Sequence, residues 1–256
     1  MLADTETTED AVLGGRLVLR QPRRGHRFGH DAILLAAAVN AQAGEAAVDL
    51  GAGVGTAGLA LAHRVPRLHV MLIEIDATLA GLARENAARN GLADRVSVAE
   101  LDIATATPLD FVSKAMLPAG EVHQVLMNPP FNDAARQNVS PDPARRRAHV
   151  ARDDTLPVWV NCASRLLRPH GTLTLIWRAT GLADVIAALQ DFGGISVVPV
   201  HPKPNVAAIR VIVQAVKGGA APLVLFPPLV LNDADGKPSA EAEAILRGGA
   251  TIPITP

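Results

Sequence analysis

Apolar residues fall into short continuous runs separated by amphipathic stretches, the alternation expected of a parallel sheet with helices on both faces. The runs predict strands near Ala47 to Leu50, His69 to Ile75, Val96 to Leu101, Val122 to Met127 and Thr172 to Trp177. Helices are expected between them, most clearly from Ala77 to Asn90, with Asp76 as its N-terminal cap and Asn90-Gly91 as a left-handed cap. Two late β-rich runs, Ile195 to Val200 and Ala208 to Val216, flank H-P-K-P-N-V with no helix between them and predict an antiparallel hairpin at the sheet edge. Asp31 to Val39 is helix-prone, Asn232 to Gly236 reads as a turn, and Ser239 as the cap of a terminal helix to Arg247. The expected fold class is α/β: a doubly wound, seven-stranded, mostly parallel, Rossmann-like sheet with an antiparallel edge hairpin.

No linker divides the chain. Residues 1–12 read as a flexible acidic tail and residues 13–256 as a single domain, with a leader (13–45), a core (46–216) and a C-terminal segment (217–256). Residues 132–154 lack apolar periodicity and read as a long loop, a feature that in compact domains usually carries function. Of the 256 residues 49% are hydrophobic and 19% charged, which excludes a disordered chain. A formal charge of -1 excludes a uniformly basic nucleic-acid coat but permits a local basic face. The single cysteine, Cys162, makes neither an intrachain disulfide nor a multi-thiolate metal site, and lies in an apolar helical stretch that marks it as a core residue. Histidines 26, 30 and 149 lack ligand spacing, so no metal is assigned. The acidic start is unlike a targeting signal and no apolar run approaches the roughly 18 residues that span a membrane, so a cytoplasmic protein is expected.

Candidate chemistry gathers at the predicted strand ends. In D-L-G-A-G-V-G, Gly51, Gly53 and Gly55 allow a tight strand-to-helix turn whose backbone, Ala52 included, can approach a ligand. Asp49, just ahead of these glycines, would repel a dinucleotide pyrophosphate and tolerates the ammonium and sulfonium of S-adenosylmethionine; G-x-G-x-G also departs from the G-x-G-x-x-G of the dinucleotide fold. Glu74, in L-I-E-I-D, stands where an acid chelates an adenosine ribose, with Ile75 beside it. Asp102 could accept the adenine amino group while Ile103 donates its backbone N–H to the ring. The next strand runs into N-P-P-F. The Asn128 side-chain carbonyl and the Pro129 main-chain carbonyl can together accept both hydrogens of a planar NH2, Pro130 stiffens the turn, and Phe131 offers a stacking face.

These four motifs, in order, resemble class I S-adenosylmethionine-dependent N-methyltransferases over roughly Gly14 to Val216. The leader Q-P-R-R-G-H-R-F-G-H-D-A-I-L-L-A and the ending P-P-L-V-L-N-D-A-D-G-K-P-S-A-E-A-E-A-I-L are similar to the bacterial tRNA(Val) adenine-N6 methyltransferase family, which commonly has Tyr in place of Phe131. The resemblance implies S-adenosyl-L-methionine as cofactor, with Phe28, Gly29 and Asp31 at its methionine end and Asn128 beside it. It also implies an exocyclic amine as acceptor, adenine N6 in tRNA foremost.

Charge bears on the partner. Five arginines stand against one acid from Arg16 to Asp31, and five against two from Asn132 to Arg152. Arg23, Arg24, Arg27, Arg145, Arg146 and Arg147 are therefore expected to grip nucleic-acid phosphates. Two other readings stay open: the same chemistry on a protein glutamine, which the short leader disfavours, and a non-catalytic RNA-binding module on the same fold.

Overall fold

The computed structural model describes residues 6–24, 28–115, 121–130 and 155–254. Five apolar runs become parallel strands: β3 (Ala46–Leu50), β4 (His69–Glu74), β5 (Val96–Glu100), β6 (Val122–Met127) and β7 (Leu167–Arg178). β8 (Phe192–His201) and β9 (Arg210–Lys217) form the antiparallel hairpin, and β9 inserts between β8 and β7. Ahead of the sheet, β1 (Thr7–Val12) and β2 (Leu17–Pro22) make a separate two-stranded ribbon.

Both faces of the sheet are buried, so successive strand residues feed two different cores. Ala47, Val70 and Leu126 pack on one side with α1 (His30–Ala38), α2 (Thr56–Arg64), α3 (Ala77–Arg89) and α7 (Ala240–Leu246). Val48, Leu50, Ile73 and Met127 pack on the other with α5 (Thr155–Leu166) and α6 (Leu182–Ala188), and Phe111 of α4 (Pro108–Ala115) joins them. Cys162 is fully buried in this second core. α3 starts where Asp76 accepts from the amides of Thr78 and Leu79, and ends with Gly91 in the left-handed region, as its sequence predicts.

The structure departs from expectation at both ends. Residues 7–12, read as flexible tail, are strand β1, paired with β2 along its whole length. Only its end residues, Thr7 and Val12, are buried, while Glu9 and Ala11 are exposed, so β1 carries no alternation of burial that the sequence could display. β3 to β9 are the seven expected strands, with the antiparallel β8–β9 hairpin closing that side; two further two-residue strands not foreseen in the sequence, β10 (Val224–Leu225) and β11 (Leu229–Val230), pair parallel with the outer side of β8 and extend the sheet to nine. Pro227 and Pro228 lack the N–H that would continue this strand, so it breaks into two short pieces that cap the edge. Among the described residues no helix is long and apolar enough to cross a membrane.

Two cations secure helix ends against the sheet. The Arg64 guanidinium donates to the carbonyls of Ala36 (2.8 Å) and Val39 (2.5 Å) behind α1, and burial pulls its pKa down. The Lys217 ammonium donates to the carbonyls of Ser164 (2.6 Å) and Leu167 (2.7 Å) where α5 passes into β7. Lys217→Met keeps the stem and removes both bonds, and is expected to lower unfolding free energy by about 1–3 kcal/mol in urea titration.

Candidate active site

The sheet order reverses at β3, which pairs with β4 on one side and β6 on the other, a point where open α/β sheets bind ligands at the strands' carboxyl ends. Register then sets the site. Leu50 pairs with Ile73 and with Met127, so the residues that follow, Gly51, Glu74 and Asn128, leave three adjacent strands at one level. Glu74 pairs with Glu100, which places Ile75 and Asp102 on the same rim. Parallel strands lie about 4.8 Å apart, so these groups line a stretch of rim about the size of one nucleoside.

The glycine turn is held from within. Gly51, Gly53 and Gly55 have φ of +67°, +58° and +90°, which side chains disfavour. The Ala52 amide donates to the Ile73 carbonyl (2.9 Å), and the Gly55 amide to the Ala52 carbonyl (2.8 Å). A Cβ on Gly53 would project into open space, so the backbone there is accessible to a ligand. A Cβ on Gly51 would meet the indole of Trp159 at 2.2 Å. Trp159 of α5, half-buried, thus forms a wall of the rim that sequence reasoning missed, because nothing in the α5 pattern points to a turn so distant along the chain. Gly58 was missed as well: its missing side chain lets α2 settle on β4, where a Cβ would sit 2.2 Å from Leu72.

The acids take different postures. Glu74 is buried; its Oε2 accepts from the Gly53 amide (2.7 Å) and its Oε1 from the amides of Ile75 (2.8 Å) and Asp76 (2.9 Å). Oε2 thus receives a single donor among the described residues, which leaves acceptor capacity for a hydroxyl. Ile75 is 62% exposed, an apolar side chain displayed at the rim. Asp102 accepts from the Ala104 amide (2.9 Å) and Ile103 is buried beneath it. Asp49 faces away from the rim toward α2, where its Oδ2 accepts from the Gly58 amide (2.8 Å). Its role is to brace the turn from behind.

Asn128 is half-buried, yet its Oδ1 is sealed from solvent and has no hydrogen-bond partner among the described residues. Pro129 is buried and Pro130 exposed beside it. A cavity of about 790 Å3 opens next to Pro130 between α5 and α6, reaching Trp177, Arg178, Asp184 and Phe192. Phe131, Arg27 and Arg145 to Arg147 lie outside the described residues.

The leader reaches the rim from the other side. Phe28 packs on the same core cluster as Ala52, and its amide donates to Gln21 Oε1 (3.2 Å). Gly29 precedes α1 with its surface exposed. Asp31 is not brought to the glycine turn as a bare carboxylate: its Oδ2 accepts from Arg210 Nε (2.8 Å) at the head of β9. Arg23 and Arg24 are exposed, and Arg23 Nε donates to the Thr7 carbonyl (3.0 Å).

The residues present fit S-adenosylmethionine: an accessible glycine turn, an acid with spare acceptor capacity and a displayed aliphatic side chain. Burial raises the Asp49 carboxyl to about 7, the Gly58 amide opposing and the Glu74 charge adding to the shift. The unfolded carboxyl titrates near 4, so between pH 4 and 7 the folded chain holds the extra proton and this group's contribution to stability falls as pH rises. Asp49→Asn keeps an acceptor for Gly58 without the buried charge. The variant should match wild type in Tm near pH 4 and exceed it increasingly up to pH 8, by at most about 4 kcal/mol in unfolding free energy.

Comparison with known proteins identifies the family. The family model for the methyltransferase small domain matches residues 27–199. A Porphyromonas gingivalis protein named tRNA1(Val) (adenine(37)-N6)-methyltransferase is 34% identical over 165 residues, 62% of this chain and 61% of that one, so the chain spans about three fifths of that relative's length. A protein of the same name from Aeromonas hydrophila is 31% identical over 199 residues, 75% of this chain and 77% of that one. Among solved structures, a predicted O-methyltransferase from Agrobacterium tumefaciens superposes with a TM-score of 0.72 at 29% identity, covering 87% of this chain and 98% of its own. With the glycine turn, the acid-ended strands and Asn128 on one rim, the chain belongs to the methyltransferase small domain family of S-adenosylmethionine-dependent methyltransferases.

Proposed function

We propose that this protein methylates an exocyclic amino group, adenine N6 in tRNA, at the rim where Asn128 leaves β6. The observation that carries the reading is the Oδ1 of Asn128, sealed from solvent and without a hydrogen-bond partner among the described residues. A buried carbonyl without a donor costs about 1–3 kcal/mol, a cost relieved when a ligand N–H arrives. The Pro129 carbonyl is the second acceptor. Together they hold both hydrogens of a planar NH2 and turn its lone pair toward the donor, beside Gly51 on the neighbouring strand. The amine becomes acidic only once methylated, so its proton then leaves without a strong base.

S-adenosylmethionine supplies a methyl group on positively charged sulfur, a leaving group already activated by its charge. Glu74 Oε2 would hold a ribose hydroxyl, Ile75 would lie against the adenine, and Asp102 with the Ile103 amide would hold its edge. Asp49 would act from behind, its ionised form favouring a cationic ligand. Gly29 and Phe28 would hold the methionine end, with the Asp31–Arg210 pair in place of a free acid. Proximity and alignment supply most of the rate.

Two observations favour a nucleobase amine over other acceptors. C5 methylation of a pyrimidine needs a thiolate, and the lone cysteine is buried with its thiol pushed up to about 11. The two relatives described above are named for a tRNA adenine. The exposed Arg23 and Arg24 of the leader, together with Arg27 and Arg145 to Arg147, are assigned to RNA phosphates.

The test is mass spectrometry of nucleosides from tRNA incubated with the protein and S-adenosylmethionine; N6-methyladenosine is the expected product. A release factor methylated on glutamine with tRNA untouched would replace this reading. Asn128→Ala should lower kcat about 100-fold while S-adenosylhomocysteine Kd stays within about threefold. Affinity for tRNA should fall with salt, and Arg23→Ala with Arg24→Ala should flatten the slope of log K on log salt by about two.

A further inference from the structure

α3 and its C-terminal cap carry two asparagines four residues apart, Asn86 in the helix and Asn90 at the cap, and both face β2. Asn86 is fully buried. Its Oδ1 accepts from the Arg20 amide (2.7 Å), and its Nδ2 donates to the Arg20 carbonyl (2.9 Å) and to the Val54 carbonyl (3.0 Å). Asn90 does the same for Val18, accepting from its amide (2.9 Å) and donating to its carbonyl (3.0 Å), and spends its other donor on the Asn86 carbonyl (2.8 Å). Four residues of helix rise about 6 Å and two residues of strand about 6.7 Å, so an i, i+4 amide pair can pair with alternate residues of a strand edge. α3 thereby stands in for a third strand beside β1 and β2.

The two asparagines differ in one respect. Only Asn86 reaches Val54, which lies inside the glycine turn between Gly53 and Gly55. On the leader side the connection continues along β2 to Gln21, whose Oε1 accepts from the Phe28 amide.

We infer that Asn86 is a positioning residue for the methyl-donor site, its carboxamide joining the leader ribbon at Arg20 to the glycine turn at Val54, so that ribbon docking and donor affinity are coupled. The inference rests on the glycine turn being the donor site. Asn90 docks the ribbon without touching the turn. A helix side chain that merely stabilised the fold would change Tm alone, whereas Asn86 also sets the conformation that the donor meets.

The coupling is measured with S-adenosylhomocysteine by calorimetry on the full chain. Asn86→Leu and Asn90→Leu should both lower Tm. Asn86→Leu should raise Kd about tenfold, and Asn90→Leu less than about twofold. If Asn86→Leu does not fold, hydrogen exchange on the wild type decides: S-adenosylhomocysteine should slow exchange of the Arg20 amide, held by Asn86, more than that of Val18, held by Asn90. Equal changes in Kd, or equal protection of the two amides, overturn the inference while leaving the donor site standing. Failure of the wild type to bind S-adenosylhomocysteine overturns the donor-site reading and the inference with it.

Discussion

The hydrogen bond from the Gly53 amide to Glu74, at 2.7 Å, is the constraint on which the rim depends. It joins the turn after β3 to the end of β4, and the same carboxylate gathers the amides of Ile75 and Asp76. One buried acid therefore fixes the shape of the turn, the exit of β4 and the entry to α3 at once. The rest of the site is arranged around that knot: Asp49 behind it on Gly58, Asn86 beneath it on Val54, and Trp159 over Gly51. An amide hydrogen-bonded to a carboxylate is among the stronger neutral-to-charged contacts, and burial strengthens it further.

Charge is distributed unevenly along the rim. Asp49 and Glu74 crowd the glycine turn, with Asp102 at the next strand end, whereas Asp31 is paired with Arg210 and Arg178 lies over the Trp177 ring at 5.8 Å. The glycine-turn side is thus acidic, whereas the cations elsewhere are engaged with Asp31 and Trp177. Asn128 stands between the two, on the strand next to the turn and next to β7. Its Oδ1 is kept dry and has no hydrogen-bond partner among the described residues, an arrangement that makes sense where a ligand arrives with its own donors.

Much of this is legible along the chain. Strands β3 to β7, the Asp76 cap and Gly91 end of α3, the Ser239 cap of α7 and the β8–β9 hairpin follow from local pattern, because each expresses either a repeat of burial or a local hydrogen bond. Other features were hidden for physical reasons. β1 is acidic and reads as tail because its burial depends on β2 and α3. β10 and β11 read as a Pro-rich stretch because two-residue strands leave no periodicity. The A-R-E-N-A-A-R-N-G spacing did hold a signal, an asparagine among the apolar positions of a helix, but its meaning required the strand edge it serves.

Local sequence supplies the inventory: a doubly wound α/β chain, glycines where a turn is sharp, acids at strand ends and an Asn-Pro-Pro after β6. These are matters of backbone sterics and of side-chain chemistry within a few residues. Which of them meet is set by packing across the closed sheet. Parallel register sets Gly51, Glu74 and Asn128 level, ion pairing turns Asp31 to Arg210, and the lack of a Cβ at Gly51 admits Trp159. Each outcome depends on contacts between residues distant along the chain, and packing selects those contacts only when the sheet closes.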